Sequence, residues 1–134
     1  MRKLALAALL ALVLAPEAAA KSCVKMSLAP APPVAGARVE IRLTTWRPAW
    51  PGGGRVRFVE PIEMPKSYRL TVTATSPGGE AIEIRLNRDA TRTHLWRAPY
   101  TFAEAGRWLV KAPRLWNSAP RACALPMRFT VRPR

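Results

Sequence analysis

The feature that most constrains the fold of this chain is an alternation of apolar and polar residues over short segments. From Tyr68 to Ala74 every second residue is apolar, and Arg69, Thr71 and Thr73 stand between them. A period of two is typical of a β-strand that buries one of its faces. Similar segments occur at residues 24–28, 38–44, 55–60, 82–86, 93–102, 107–112 and 125–132. The alternation therefore predicts seven to eight short strands.

Proline and glycine separate these segments. Residues 76–79, Ser-Pro-Gly-Gly, mark a tight turn, so residues 68–86 are predicted to form a hairpin. The segments 46–54 and 113–121 contain Pro and Trp and are predicted to be loops. Regularly spaced amphipathic strands over about 100 residues predict an all-β fold, an antiparallel two-sheet sandwich of immunoglobulin-like type. A small barrel is the alternative.

The first 20 residues have the organisation of a cleavable signal peptide. Arg2 and Lys3 supply positive charge, residues 4–14 are an unbroken apolar run, and residues 18–20 are a small-residue cleavage site. The run is shorter than the ~20 apolar residues that cross a bilayer. We therefore expect an extracytoplasmic protein, periplasmic or secreted. Its mature chain, residues 21–134, is expected to form one domain without a transmembrane segment.

Only two cysteines are present, Cys23 and Cys123, and they lie near the two ends of the expected mature chain. Cysteines of exported proteins normally pair, because their compartment is oxidising. A disulfide between them is therefore predicted, and it would connect the first and last strands. The alternatives are a metal thiolate pair, a redox-active pair and lipid attachment at Cys23. The absence of a C-x-x-C motif disfavours the redox pair, and the charge of Lys21 disfavours acylation.

The mature chain is strongly basic. Removal of Arg2, Lys3 and Glu17 with the leader leaves 20 Lys and Arg against 7 Asp and Glu, a net charge of +13. Such a charge favours an anionic partner such as an envelope polymer or an anionic lipid surface. The arginines are spread along the chain rather than clustered with aromatic residues, so nucleic acid is not the expected partner. An arginine-rich composition without a charge-dependent function is the alternative.

Catalytic residues are few. His94 is the only histidine and Asp89 the only aspartate, and no G-x-S-x-G motif accompanies them. A glycosidase would require two carboxylates that face one cleft, and the sequence pattern predicts no such pair of glutamates. We therefore predict that the chain is not an enzyme and requires no cofactor.

Copper handling is the alternative function. Methionine and histidine suit the cuprous ion, and Met64 lies in a predicted loop where it is expected to be accessible. Met64 and His94 are thus the candidate metal ligands. Met26 and Met127 fall on the apolar sides of strands and are expected in the core.

Five tryptophans form the last set of candidates. Trp96 and Trp108 lie in predicted strands and are expected in the core. The remaining three lie in predicted loops, where an aromatic ring can anchor a binding surface. If those loops meet at one end of the sandwich, they would form a binding edge, and its candidate residues are Trp46, Arg47, Trp50, Arg114 and Trp116. Packing over the open end of the sandwich is the alternative role for these rings.

Residues 96–110 read WRAPYTFAEAGRWLV, an aromatic strand that leads into an Ala-Gly-Arg-Trp corner. With the Met64-Pro65 pair ahead of the central hairpin, residues 38–132 resemble the exported YtkA-like and FixH-like domains. The resemblance implies an extracytoplasmic β-sandwich in an accessory or copper-related setting. The chain departs from that pattern in its sparse Met and His residues and in a leader that looks cleavable, whereas FixH-like proteins commonly keep a membrane anchor.

These features together predict an exported, non-enzymatic binding or accessory module of the cell envelope. Its expected partner is another envelope protein or an anionic envelope surface.

Overall fold

Residues 22–134 are described by the structure, a computed structural model. The predicted signal peptide, residues 1–20, lies outside the described residues. Within this range nine strands form in chain order: β1 Cys23–Ala29, β2 Arg38–Gly52, β3 Arg55–Pro61, β4 Thr71–Thr75, β5 Ala81–Arg85, β6 Asn87–Arg88, β7 Leu95–Thr101, β8 Gly106–Lys111 and β9 Met127–Val131. Two short 3-10 helices, Arg114–Trp116 and Arg121–Cys123, lie between β8 and β9. The described part of the chain contains no helix with the length and hydropathy of a membrane span.

The strands form two antiparallel sheets. The first has the order β1-β2-β7-β6, with β3 paired to the outer half of β2, and the second has the order β5-β4-β8-β9. If β6 and β7 are taken as the D and E strands, these are the ABED and C′CFG sheets of an immunoglobulin-like sandwich. The predicted all-β, two-sheet fold is therefore confirmed, with nine strands in place of seven to eight.

The core lies between the sheets, where the alternating apolar residues meet. Ile41 and Leu43 of β2 face Val72 of β4 and Val110 of β8, and all four side chains are fully buried. Burial of each such side chain contributes roughly 1.5–3 kcal/mol. Trp96 and Trp108 are buried as predicted. The hydrophobic alternation thus gives the correct inward face for the central strands.

Phe102 joins the two sheets near the turn between β7 and β8. Its ring meets those of Tyr100, Trp108 and Phe129 edge to face, with centroids 4.9, 4.9 and 5.1 Å away. Gly106 begins β8 with φ +127°, and a Cβ atom there would lie 2.9 Å from Pro77 Cγ. Glycine is therefore required at this corner, both for its backbone angle and for the space.

Residues 46–54, predicted to be a loop, form strands instead. β2 continues through Trp46 to Gly52 and pairs with β3, so that residues 46–61 make a hairpin, here called the arm, at one end of the sandwich. Two register shifts accommodate Pro48 and the turn. The prediction was wrong because the prolines in this segment do not end β2, which continues to Gly52. A hairpin that is paired along one edge only tolerates proline.

The predicted disulfide between Cys23 and Cys123 is present. Cys23 begins β1 as expected. Cys123 ends the second 3-10 helix, four residues before β9, rather than opening the last strand. Leu125 falls on the apolar side of the alternating segment 125–132, but β9 begins only at Met127, and Leu125 is 57% exposed. The bond therefore ties the edge strand of the first sheet to the segment that leads into the edge strand of the second.

Candidate functional site

The five residues predicted to form a binding edge lie in the arm and in the 112–126 segment, both at the disulfide end of the sandwich. Trp46 pairs with Cys23 across β1 and β2, and Cys23 is bonded to Cys123 in the other segment. Trp50 is 47% exposed on the arm. Trp116 instead is 3% exposed and donates its indole N–H to the Ser22 carbonyl at 3.1 Å. Trp116 thus belongs to the core and cannot contribute to a surface.

Trp46 supports the arm where it leaves the sandwich. Its ring lies 6.4 Å from that of Phe58 and 6.5 Å from that of His94. The Lys25 ammonium lies over both aromatic rings, 5.0 Å from the Trp46 centroid and 4.7 Å from that of Phe58. Arg47 pairs with Glu60 at 2.7 Å across the arm. Trp46 and Arg47 therefore already have partners within the chain, and Trp50 is the one tryptophan of the predicted edge that stays exposed.

The candidate copper ligands are placed differently from the prediction. Met64 is completely buried, with its Sδ 3.9 Å from Ser22 Oγ, so the expectation that it is accessible was wrong. The methionine lies in a loop, but the loop packs inward against the disulfide end of the core. His94 is half-buried with its ring edge to face against Trp46. Among residues 22–134, no three His, Cys, Asp or Glu side chains converge in a metal-binding arrangement.

Asp89 is engaged in a turn. Its Oδ1 accepts the backbone N–H groups of Arg92 at 2.7 Å and Thr91 at 2.9 Å, and its Oδ2 lies 3.1 Å from Arg97. The backbone hydrogen bonds are the largest cause of a pKa below the ordinary aspartate value, and burial opposes them. Burial, followed by the charge of Glu80, raises the pKa of Tyr100.

Charge is compensated on the outer face of the first sheet. Arg42 contacts Glu40 at 2.6 Å, and Arg97 lies between Glu40 and Asp89. Lys25 lies over the aromatic rings of the arm. Three of the four cations on this face therefore have a partner, and Arg38 is the fourth. Every ion pair found in residues 22–134 involves an arginine of the first sheet: Arg42, Arg47, Arg88 and Arg97.

The outer face of the second sheet has the opposite character. Its residues alternate with the buried positions of β4, β5, β8 and β9. Four exposed cations project from it, and none forms an ion pair or ring contact in the described part of the chain. We call this surface the basic face; it consists of Arg85, Arg107, Lys111 and Arg128, with Thr71, Thr73, Thr75 and Thr130, Leu109, Ala81 and a single carboxylate, Glu83.

The strand register brings these cations together. Arg107 lies opposite Thr130 and Arg128 lies opposite Leu109, so the two arginines are diagonal neighbours on β8 and β9. They line a shallow cavity of about 420 Å³ with the hydroxyl groups of Thr75, Ser76 and Thr130.

A second shallow cavity of about 430 Å³ continues the basic face toward the disulfide end. Arg69 and Arg114 line it with Thr71, Thr73 and Glu83. Arg114, predicted to join the tryptophans of the arm, therefore lies beside the basic face instead. The two cavities present guanidinium and hydroxyl donors, which suit phosphate and carboxylate groups.

Sequence reasoning did not find the basic face as a unit, because its cations are far apart in the chain. The signal was present in the alternation, which puts Arg85, Arg107, Lys111 and Arg128 on the polar side of their strands. The missing information was the order β5-β4-β8-β9, which makes these four strands neighbours.

Comparison of the chain with family models, with curated proteins and with solved structures gave no match. The resemblance to YtkA-like and FixH-like domains therefore stays a prediction.

Proposed function

We propose that the chain is an exported, non-enzymatic binding module of the cell envelope, and that it attaches to an anionic envelope surface through its basic face. The contrast between the two sheets carries this proposal. Three of the four cations on the outer face of the first sheet have partners within the chain, whereas those of the basic face form no ion pair among the described residues. An anionic partner would supply the missing charge.

Export is supported by two features of the chain. The leader has the pattern of a signal peptide, and the Cys23–Cys123 disulfide is typical of oxidising compartments. The basic face is suited to a phosphate or another oxyanion that occurs repeatedly on the surface of the partner. An anionic lipid and a phosphate-rich polymer share that chemistry, so both are tested below.

Attraction between a basic protein and an anionic membrane amounts to about 1 kcal/mol for each Lys or Arg near the surface. The variant Arg107→Gln/Arg128→Gln should therefore bind anionic vesicles roughly thirty-fold more weakly than the native chain. The variant Arg55→Gln/Arg57→Gln removes the same charge from exposed arginines of the arm and is the matched control. It should retain most of the binding.

The measurement is co-sedimentation of the mature protein with phosphatidylglycerol-containing vesicles, with neutral vesicles and with inorganic polyphosphate, each over a range of salt. Binding should weaken steeply as salt rises, because exposed charges are screened over about 10 Å at 0.1 M. Binding to vesicles alone would identify an anionic lipid as the partner. Binding to polyphosphate would identify a phosphate-rich polymer as the partner. Equal losses of binding in the two double variants would refute the basic face as the binding site. Binding that does not depend on salt would refute an anionic surface as the partner.

A further inference from the structure

A second surface lies on the side of the sandwich where the two sheets end in β1 and β9. We call the gap between these edge strands the seam. The disulfide closes it at one end, where Cys23 begins β1. At the other end Arg132 exchanges backbone hydrogen bonds with Pro33 and Ala35, at 2.9 and 2.8 Å. Between these two closures the core is incompletely covered.

The exposed part of the seam is apolar. It contains a cavity of about 550 Å³ in which Leu28 of β1 faces Met127 and Phe129 of β9, with Ala31, Pro32 and Pro33 at the closed end. Leu28, Met127 and Phe129 point toward the core but are only half-buried. Apolar side chains in such positions lose solvent contact when another strand covers them.

The backbone of β1 is available for pairing along the seam. Thr45 donates its N–H to His94 and accepts from Ile62, so its polar backbone groups point away from β1. Val24 lies opposite Thr45, and in an antiparallel ladder the hydrogen-bonding direction alternates along the strand. The N–H and C=O groups of Val24, Met26 and Leu28 are therefore directed away from β2. Val24 is buried beside the disulfide, whereas Met26 and Leu28 are half-buried along the seam.

The rim of the seam is basic. Lys25 projects from the outer side of β1, and Arg128 and Arg132 project from the β9 side. No carboxylate lines the cavity within the described residues. The β9 edge is already occupied at Arg132 by the segment that follows β1, so β1 offers the longer unpaired edge.

We infer that the seam is a docking site for an extended segment of a partner protein, in which apolar and acidic residues alternate and which pairs with β1 as an added strand. Its backbone bonds to Met26 and Leu28. Every second side chain enters the apolar cavity, and the acidic side chains between them face the basic rim. This mode of recognition derives affinity from the backbone and specificity from the alternate side chains. The rim shares Arg128 with the basic face, so the test below uses Met26, which the basic face does not contain.

The probe is a blocked peptide of seven residues, the length of β1, in which valine alternates with glutamate. The variants are Met26→Pro and Met26→Ala in the mature, oxidised protein. Both remove the Met26 side chain, but only proline removes the N–H that points into the seam, and an edge strand tolerates proline at such a position. Met26→Pro should bind the peptide roughly tenfold more weakly than Met26→Ala. A peptide that alternates valine with lysine should bind to neither variant.

Hydrogen exchange of the native protein provides a measurement that needs no variant. In the free protein the amides of Met26 and Leu28 should exchange quickly, while those of Lys25 and Ser27, which face β2, are protected. The valine–glutamate peptide should protect the first group. Equal binding by the two Met26 variants would overturn the inference, because an added strand requires the Met26 N–H. Pairing of β1 with a second copy of the chain, seen as a dimer without peptide, would also overturn it.

Discussion

Trp116 donates its indole N–H to the carbonyl of Ser22 at 3.1 Å, which joins the segment before β9 to the residue that precedes β1. The contact spans 94 residues of sequence and lies beside the Cys23–Cys123 bond. The two edge strands are thus tied together at this end by a covalent bond and by a buried hydrogen bond.

Replacement of Trp116 by phenylalanine should lower the free energy of unfolding by about 2 kcal/mol, because a hydrogen bond is lost and a cavity forms. Trp50→Phe is the matched control, since Trp50 is 47% exposed on the arm and should change stability by less than about 0.5 kcal/mol. Urea denaturation of the oxidised proteins measures both values. Similar losses for the two variants would contradict the structural role assigned to Trp116.

Lys25 should hold the arm against the sandwich through its contact with the Trp46 and Phe58 rings. Exposed cation–π contacts contribute about 0.5–1 kcal/mol, so Lys25→Gln should speed amide exchange in the arm, residues 46–61, by a few-fold. Lys66→Gln removes the same charge from an exposed loop position and should leave the arm unchanged. Hydrogen exchange of both variants tests this. An arm that exchanges at the native rate in Lys25→Gln would show that the contact does not restrain it.

Asp89 should contribute stability that depends on pH. Since its pKa is depressed in the folded chain, mainly by the N–H groups of Arg92 and Thr91, its contribution is fully present above the ordinary aspartate pKa. It is lost as the pH falls through the lowered, folded-state value. Asp89→Asn should therefore be less stable than the native chain at neutral pH, and the difference should shrink in acid.

Unfolding free energies of both proteins, measured from neutral pH into the acid range, test the Asp89 prediction. A parallel series in high salt is the control, because salt screens the contact with Arg97 far more than the backbone hydrogen bonds. The pH dependence should persist in high salt. A stability difference that stays constant down to strongly acidic pH would show that the Asp89 charge has no role.

Burial in the loops was the hardest property to predict. Met64 and Trp116 both lie outside the strands, and a pattern of period two says nothing about residues in such segments. Their positions are decided by the space left at the end of the sandwich, which Met64 and Trp116 fill beside the disulfide. Trp50, in a segment of similar composition, is exposed because the arm leaves the core.

The amino-acid sequence by itself determined most of the strands, the inward faces of the central ones, the two-sheet class of the fold and the pairing of Cys23 with Cys123. These properties follow from local alternation, which fixes the side of a strand that meets the core, and from the presence of only two cysteines. Only the tertiary structure decided that β4, β5, β8 and β9 are neighbours, that their cations form one surface, and that β1 and β9 leave an apolar seam. The physical reason is that strand order depends on pairings between distant segments, and alternation along one strand does not encode its neighbours.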